Sequence, residues 1–241
     1  MEQPAPAAII TGGGSGIGLE TARLLVADGY RVMLVGRRAD VLETATAELG
    51  DAALSLSADL SDPAAPERIA AESRKRFGRL DALVNNAGWS PLTPLVELMP
   101  ETIEAIYRVN VIGPTLLARA CWANLASATR ITGRPGPCIV GVSSYATVDP
   151  FAGLGVYACA KAGINLLAKA CRNEGAEFEL RAFSVAPGAV ETELLRSIAD
   201  ESTVPQDKTL APIDVAQVIA ACIRGDHDER NGETILLPSP D

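Results

Sequence analysis

Short apolar runs alternate along the whole chain with longer stretches in which apolar residues return every three to four positions. Seven runs have the length and composition of strands: AAII (7–10), RVMLV (31–35), ALSLS (53–57), LDALVNN (80–86), CIVGVS (138–143), RAFSVA (181–186) and ETILL (233–237). Strand and helix patterns in strict alternation predict βαβ units around a mostly parallel sheet, an α/β architecture. The first helix is expected to open near Ser15 and to close before Asp28-Gly29-Tyr30, where Gly29 can take the left-handed conformation that ends a helix. A second well-marked helix is expected from about Leu154 to Glu174. Two segments look irregular, ASATRITGRPGP (126–137) and ADESTVPQDKTLAP (199–212). The first reads as a surface connection. The second follows the sixth strand's C-terminal end, the side on which open α/β sheets bind ligands, so residues 193–210 are a candidate lid.

The helix at 154–174 carries an unusual pair. In VYACAKAG (156–163) a phenol, Tyr157, and an ammonium, Lys161, interrupt small apolar residues at a spacing of four, which puts them on one helix face. A free phenol titrates near 10, so acid/base work at neutral pH asks for a lowering worth about 4 kcal/mol. A cation about 4 Å away at an effective dielectric near 20 supplies about that much. Lys161 is therefore expected to depress the Tyr157 pKa. Cys159, between the two, points off their face and is expected to pack.

Composition narrows the classes. The 241 residues are 48% hydrophobic, enough for a sizeable core, and neither repeats, low-complexity tracts nor a compositional shift divide them, so one domain over 1–241 is expected. The formal charge of -9 argues against nucleic acid or an anionic membrane as partner, since phosphate affinity rests on clustered Lys and Arg. MEQPAPAAII lacks the basic and apolar regions of a signal peptide, and no run approaches a membrane span. Cys121, Cys138, Cys159, Cys171 and Cys222 have no metal-ligand spacing and read as small core residues of a reduced, cytoplasmic protein. With His227 the single histidine, set among surface charges, multi-histidine metal sites and Ser-His-Asp catalysis are disfavoured; no metal is expected.

After the first strand comes TGGGSGIG (11–18), opening directly into a helical pattern. Glycines in such a turn permit tight reversal and close approach of backbone to a diphosphate, and the following helix N-terminus offers open N–H donors. A flexible loop is the plainer alternative, while a P-loop would need a terminal Gly-Lys-Ser/Thr. The second strand ends in RVMLVGRR. Gly36 stands where an acid would accept hydrogen bonds from a ribose 2′-hydroxyl, and Arg37 and Arg38 follow, a pair suited to a 2′-phosphate. NADP(H) is expected over NAD(H); solvated loop charges are the alternative.

Taken in order, these residues resemble the short-chain dehydrogenase/reductase family in its compact form, over nearly the whole chain. The matches are Thr11, Gly12, Gly16 and Gly18; Asp59 in ADL; NNAG at 85–88; Asn110 in YRVNVIG; a serine in GVSS; Tyr157 and Lys161 as YxxxK; and PGAVET at 187–192. The resemblance implies a doubly wound, Rossmann-like seven-stranded parallel sheet of strand order 3-2-1-4-5-6-7, with helices on both faces. It also implies hydride transfer between a nicotinamide and a carbonyl or alcohol. Carried over by position, Gly12, Ser15, Gly16, Ile17, Gly18, Arg37, Arg38, Asp59, Leu60, Asn86, Ala87, Gly88, Pro187, Gly188, Val190 and Thr192 would bind the coenzyme together with Tyr157 and Lys161. Asp59 would meet the adenine. Asn110, Ser144, Tyr157 and Lys161 would form the catalytic set: Tyr157 the acid/base, Ser144 the donor to the reacting oxygen, Lys161 also the holder of the nicotinamide ribose, and Asn110 the group positioning a relay water. Ser144, thirteen positions before the tyrosine, is preferred to its neighbour Ser143.

The resemblance further implies a homodimer or homotetramer through the Tyr157 helix. Trp89 borders either the substrate or the core. The tail GETILLPSPD departs from the Gly-Gly-rich end of many fatty-acid-synthesis reductases, which argues against a specific 3-oxoacyl reductase assignment. An NAD-dependent alcohol dehydrogenase of the same family and a non-catalytic NADP(H)-binding module are the rival readings.

Overall fold

In the computed structural model, which describes residues 4–128 and 134–240, the seven apolar runs become seven parallel strands of one sheet. These are β1 (Ala7–Thr11), β2 (Arg31–Gly36), β3 (Ala53–Ser57), β4 (Ala82–Asn85), β5 (Cys138–Val142), β6 (Arg181–Pro187) and β7 (Thr234–Leu237). They lie in the order β3-β2-β1-β4-β5-β6-β7, so the chain reverses direction across the sheet between β1 and β4. Between them run α1 (Gly16–Ala27), α2 (Ala39–Leu49), α3 (Ala65–Phe77), α4 (Pro100–Tyr107), α5 (Gly113–Ala126), α6 (Gly155–Glu174), α7 (Glu193–Ile198) and α8 (Pro212–Arg224). β4 is shorter than its apolar run, and at its start the Asp81 carboxylate accepts from the Ala7 N–H at 2.8 Å while its backbone bonds Ala7 and Cys138.

Side chains alternate across each strand, so the register sorts the core into two layers. Ile10, Leu34, Val84, Val140 and Phe183 share one row and one face, where they pack with Leu25 of α1, Leu42 of α2 and Val215, Ile219 and Ile223 of α8. Ile9, Met33, Leu83, Ile139 and Ala182 form the other row, covered by Ile69 of α3, Leu117, Cys121 and Leu125 of α5 and Cys171 of α6. Burying each such aliphatic side chain contributes about 1.5–3 kcal/mol. Burial on both faces explains why these strands read as continuous apolar runs.

Helix α1 starts after Ser15 and is closed by Gly29 at φ +82°, as its sequence predicts. The irregular connection at 126–137 begins where α5 ends, and its residues 129–133 lie outside the described part. Four cysteines are buried, but Cys159 is exposed. The expectation that it packs is corrected: two positions from Tyr157, it falls on the outer face of α6. Burial pushes the thiols of Cys138 and Cys171 up to about 11, and that of Cys121 to about 12. No described helix is long and apolar enough to cross a membrane, and no cluster of metal-binding side chains occurs among the described residues.

Candidate active site

The C-terminal ends of β1, β2, β4, β5 and β6 open on one edge of the sheet, and the loops that leave them carry nearly every residue singled out above. The Gly-rich turn is compressed against its neighbours. Gly12 and Gly16 have φ of +63° and +52°. A Cβ on Gly12 would come within 2.8 Å of Asn86 Nδ2, and one on Gly18 within 2.2 Å of the Gly12 carbonyl oxygen. Asn86 Nδ2 donates to the carbonyls of Thr11 (2.9 Å) and Gly12 (3.2 Å). Thr11 Oγ1 in turn accepts from the N–H groups of Asn86 and Ala87, both at 3.0 Å, and donates to the Val84 carbonyl. The NNAG segment and the glycine turn are therefore one stitched unit, and Asn86 supports the turn with its side chain. Thr11, matched in the motif but given no role by it, is the stitch; its signal was a hydroxyl at the end of an otherwise apolar strand. Ser15 caps α1 without bonding the helix's first N–H groups, and no acid lies in that first turn. Ile17 packs half-buried into the core behind it. A turn bare of side chains, ending in uncapped donors, fits a dinucleotide diphosphate.

Beyond β2, Arg37 and Arg38 are exposed. The Arg37 carbonyl accepts from Ser57 Oγ, and Arg38 Nη2 pairs with Glu193 Oε2 at 2.7 Å. After β3, Asp59 Oδ1 accepts from the Ser61 N–H at 2.9 Å, which fixes the turn, while Leu60 is buried against Gly113.

The chemistry-bearing side chains gather at the end of β5. Ser143 is buried, its hydroxyl donating to the Lys161 carbonyl at 3.1 Å. Ser144 faces the other way: it caps a short 3-10 turn, accepting from the Ala146 N–H, and its hydroxyl is near enough to Tyr157 to draw the phenol's pKa down. Lys161 Nζ donates to the Val142 carbonyl at 2.7 Å and lies 5.5 Å from the centre of the Tyr157 ring. Burial pushes the phenol up to about 12, with the neighbouring Ser144 hydroxyl drawing it partly back, and pushes Lys161 down to about 8. The expected depression of the phenol by Lys161 is corrected here. The ammonium sits over the ring and on a strand carbonyl, and desolvation outweighs its charge.

Asn110 lies in a π-turn, Arg108–Ile112, between α4 and α5. Its Nδ2 donates to the carbonyls of Trp89 (2.7 Å) and Ile106 (2.8 Å), and its Oδ1 accepts from the Trp89 N–H. The widened turn aims the amide at the β4 loop, as π-bulges at working sites do. Gly88 is what admits Lys161 here: a Cβ on it would stand 3.1 Å from Asn110 Oδ1 and 3.2 Å from Lys161 Nζ. Trp89 is half-buried and tied to Asn110 through its backbone.

After β6, Pro187 and Gly188 are backed by the chain's last residues. The Gly188 N–H donates to the Leu237 carbonyl, the Ala189 N–H to Ser239 Oγ at 2.8 Å, and a Cβ on Gly188 would strike Ser239. Ser239, in a tail read only for what it lacked, had no sequence signal. Val190 bridges Leu210, Thr192 caps α7 and its methyl lies against Gly16. The candidate lid is thus tied shut at its base. Arg196 braces it inside, bonding the Glu191 carboxylate and the Val204 carbonyl. His227 lies in a turn before Asp228–Arg230 and joins none of these groups.

A dinucleotide cradle beside half-buried Ser144 and Tyr157 and a buried Lys161 defines an oxidoreductase of the Rossmann-like class. The family described as short chain dehydrogenase matches residues 6–203, and the chain belongs to it. It is accordingly an NAD(P)-dependent oxidoreductase. Sorbitol dehydrogenase of Cereibacter sphaeroides is 28% identical over 97% of this chain and 90% of that protein. The 3-oxoacyl-[acyl-carrier-protein] reductase of Bos taurus is 31% identical over 86% of each. Among solved structures, the 3-ketoacyl-(acyl-carrier-protein) reductase of Brucella melitensis complexed with NADH superposes with a TM-score of 0.87 at 28% identity, covering 98% of this chain and 97% of that one.

Proposed function

We propose that this protein is an NADP(H)-dependent reductase of a small carbonyl compound, working reversibly on the corresponding alcohol, with Tyr157 as its acid/base. The observation that carries the reading is Tyr157 beside Ser144 with Lys161 Nζ over its ring and on the Val142 carbonyl, at the strand edge where the glycine turn opens.

Gly12, Gly16 and Gly18, with Ser15 and Ile17 at the helix start, would hold the diphosphate. Asp59 and Leu60 would flank the adenine, Ala87 and Gly88 the nicotinamide ribose beside Lys161, and Pro187, Gly188, Val190 and Thr192 the nicotinamide. Bound there, the coenzyme supplies or accepts the hydride. Tyr157 keeps its proton at neutral pH because burial disfavours the phenolate, so in the reductive direction its hydroxyl gives that proton to the carbonyl oxygen. Ser144 donates a hydrogen bond to the same oxygen as negative charge develops on it. Lys161 stabilises the phenolate left behind, and Asn110 shapes the backbone that would hold a relay water.

Gly36 and the exposed Arg37 and Arg38 favour the 2′-phosphate. NAD(H) is the second reading, because a structural relative is complexed with NADH. The names of the relatives span a polyol dehydrogenase and an acyl-thioester reductase, so the substrate class stays at small carbonyl and alcohol compounds. We further place the protein in the cytoplasm as a homodimer or homotetramer, with the exposed Leu166 and Cys159 of α6 at the contact.

The test is a panel of ketones, diketones, sugars and acyl thioesters with each coenzyme. Wild type should oxidise NADPH faster than NADH, and Tyr157→Phe should lose at least about a hundredfold in kcat while NADPH binding stays near wild type. Substantial turnover by the phenylalanine variant would remove Tyr157 from its role.

A further inference from the structure

We infer that Glu193 is a specificity-determining residue for the coenzyme: its carboxylate competes with a 2′-phosphate for Arg38, and so limits how strongly the phosphorylated dinucleotide is preferred. The inference rests on the coenzyme reading above.

Arg38 ends the loop after β2, and Glu193 is the first residue of α7, 155 positions further along, yet Nη2 and Oε2 meet at 2.7 Å. Immediately before Glu193, Thr192 places its methyl 3.2 Å from where a Cβ on Gly16 would stand. The segment after β6 therefore touches the glycine turn at one residue and the β2 loop at the next. It forms a strap from the proposed nicotinamide wall to the proposed ribose wall of the adenosine. Nor is Glu193 on a loose element. The Val190–Leu210 bridge and the Arg196 bonds to Glu191 and Val204 brace the segment from within. Arg37 lacks this engagement; its backbone carbonyl, taken by Ser57, is what fixes it to the β3 edge.

A phosphate dianion recruited by Arg38 has to displace the Glu193 carboxylate or lie beside it, and both cost free energy. A coenzyme with a free 2′-hydroxyl meets no such competition. The penalty therefore falls on one coenzyme alone. Both side chains are more than half exposed, at 55% and 66%, so the pair is a weak competitor and the expected effect is about fivefold.

The test measures dissociation constants for NADPH and NADH, from coenzyme fluorescence, with wild type, Glu193→Gln, Arg38→Ala and the double variant. Glu193→Gln should tighten NADPH about fivefold at low ionic strength and leave NADH within about twofold. The gain should shrink in high salt and vanish in the Arg38→Ala background. If Arg38→Ala weakens NADPH but Glu193→Gln leaves it unchanged, or tightens both coenzymes alike, the inference is overturned while the coenzyme reading stands. If Arg38→Ala leaves NADPH binding unchanged, both fall.

Discussion

Lys161 donates to the carbonyl of Val142 at 2.7 Å and holds its charge 5.5 Å from the centre of the Tyr157 ring. The two groups share one buried setting that moves them in opposite directions, the phenol up to about 12 and the ammonium down to about 8. Near neutrality both therefore carry their protons. That state suits reduction, in which the tyrosine must give a proton away.

Reduction should therefore decline as pH rises through about 8, where Lys161 loses its charge. A kcat/KM profile at constant ionic strength checks this; a flat profile to pH 10 would separate Lys161 from the proton chemistry. The same depression has a consequence for stability. Between about 8 and the ordinary 10.5 the unfolded chain binds the extra proton, so stability rises with pH across that window. Below it, burying the charge costs about 3 kcal/mol. Lys161→Met should accordingly unfold at higher urea than wild type at pH 7 and lose that advantage toward pH 10.5.

Two adjacent serines should separate function from stability. Ser144 is half-buried beside Tyr157, so Ser144→Ala is expected to lower kcat by about a hundredfold or more with little change in Tm. Ser143 donates to the Lys161 carbonyl in the interior, so Ser143→Ala should cost about 1–2 kcal/mol of stability and leave kcat within about tenfold. Thermal melts and steady-state kinetics on the two variants decide it, and an essential Ser143 beside a dispensable Ser144 would reverse the assignment.

The inner strands β1, β2, β4, β5 and β6 were legible because they are buried on both faces and so read as apolar runs, while the edge strand β3 alternates, ALSLS, with its serines toward solvent. The strand order came from the family resemblance, not from the pattern. That Tyr157 and Lys161 share one face was legible from helix spacing, and their role from the motifs around them. What could not be read was anything that depends on where a backbone atom ends up. The spacing of four placed Lys161 on the face of Tyr157, but the Val142 carbonyl that draws its ammonium is set by the end of a strand nineteen residues earlier. Cys159 looked like core because small apolar residues surround it in sequence, whereas the outer face of α6 is itself apolar, Leu166 being 69% exposed. Ser239 and Glu193 act across 50 and 155 residues of chain, beyond any local pattern.

Gly18 is expected to be irreplaceable on steric grounds. A methyl there would stand 2.2 Å from the Gly12 carbonyl oxygen and 2.7 Å from Asn86 Nδ2, so backbone must move. Gly18→Ala should lose at least about 1–3 kcal/mol of stability and bind coenzyme much more weakly. Gly155→Ala, at the start of α6 with open space around the new methyl, should keep or gain about 0.5–1 kcal/mol and bind normally. Coenzyme titrations and melts of the two variants, compared directly, test whether the turn or glycine content in general matters.

The lid should depend on Arg196. Its guanidinium bonds the Glu191 carboxylate at the lid's base and the Val204 carbonyl on the returning arm, which closes residues 191–204 into a braced loop. The Glu191 carboxyl is held below the usual carboxylate range by that guanidinium, so the brace stays ionised at any pH where the enzyme would be assayed. The one guanidinium makes both ties, so Arg196→Ala should free the loop to open. Proteases should then cut within 199–208 sooner than in wild type. If the loop is the proposed lid, contributing no reacting group, KM for the carbonyl substrate should rise about tenfold with kcat nearly unchanged. Arg196→Lys, which keeps the charge but not the two-pronged reach, should fall between. A variant with normal KM and unchanged protease resistance would show that the Val190–Leu210 bridge alone holds the loop.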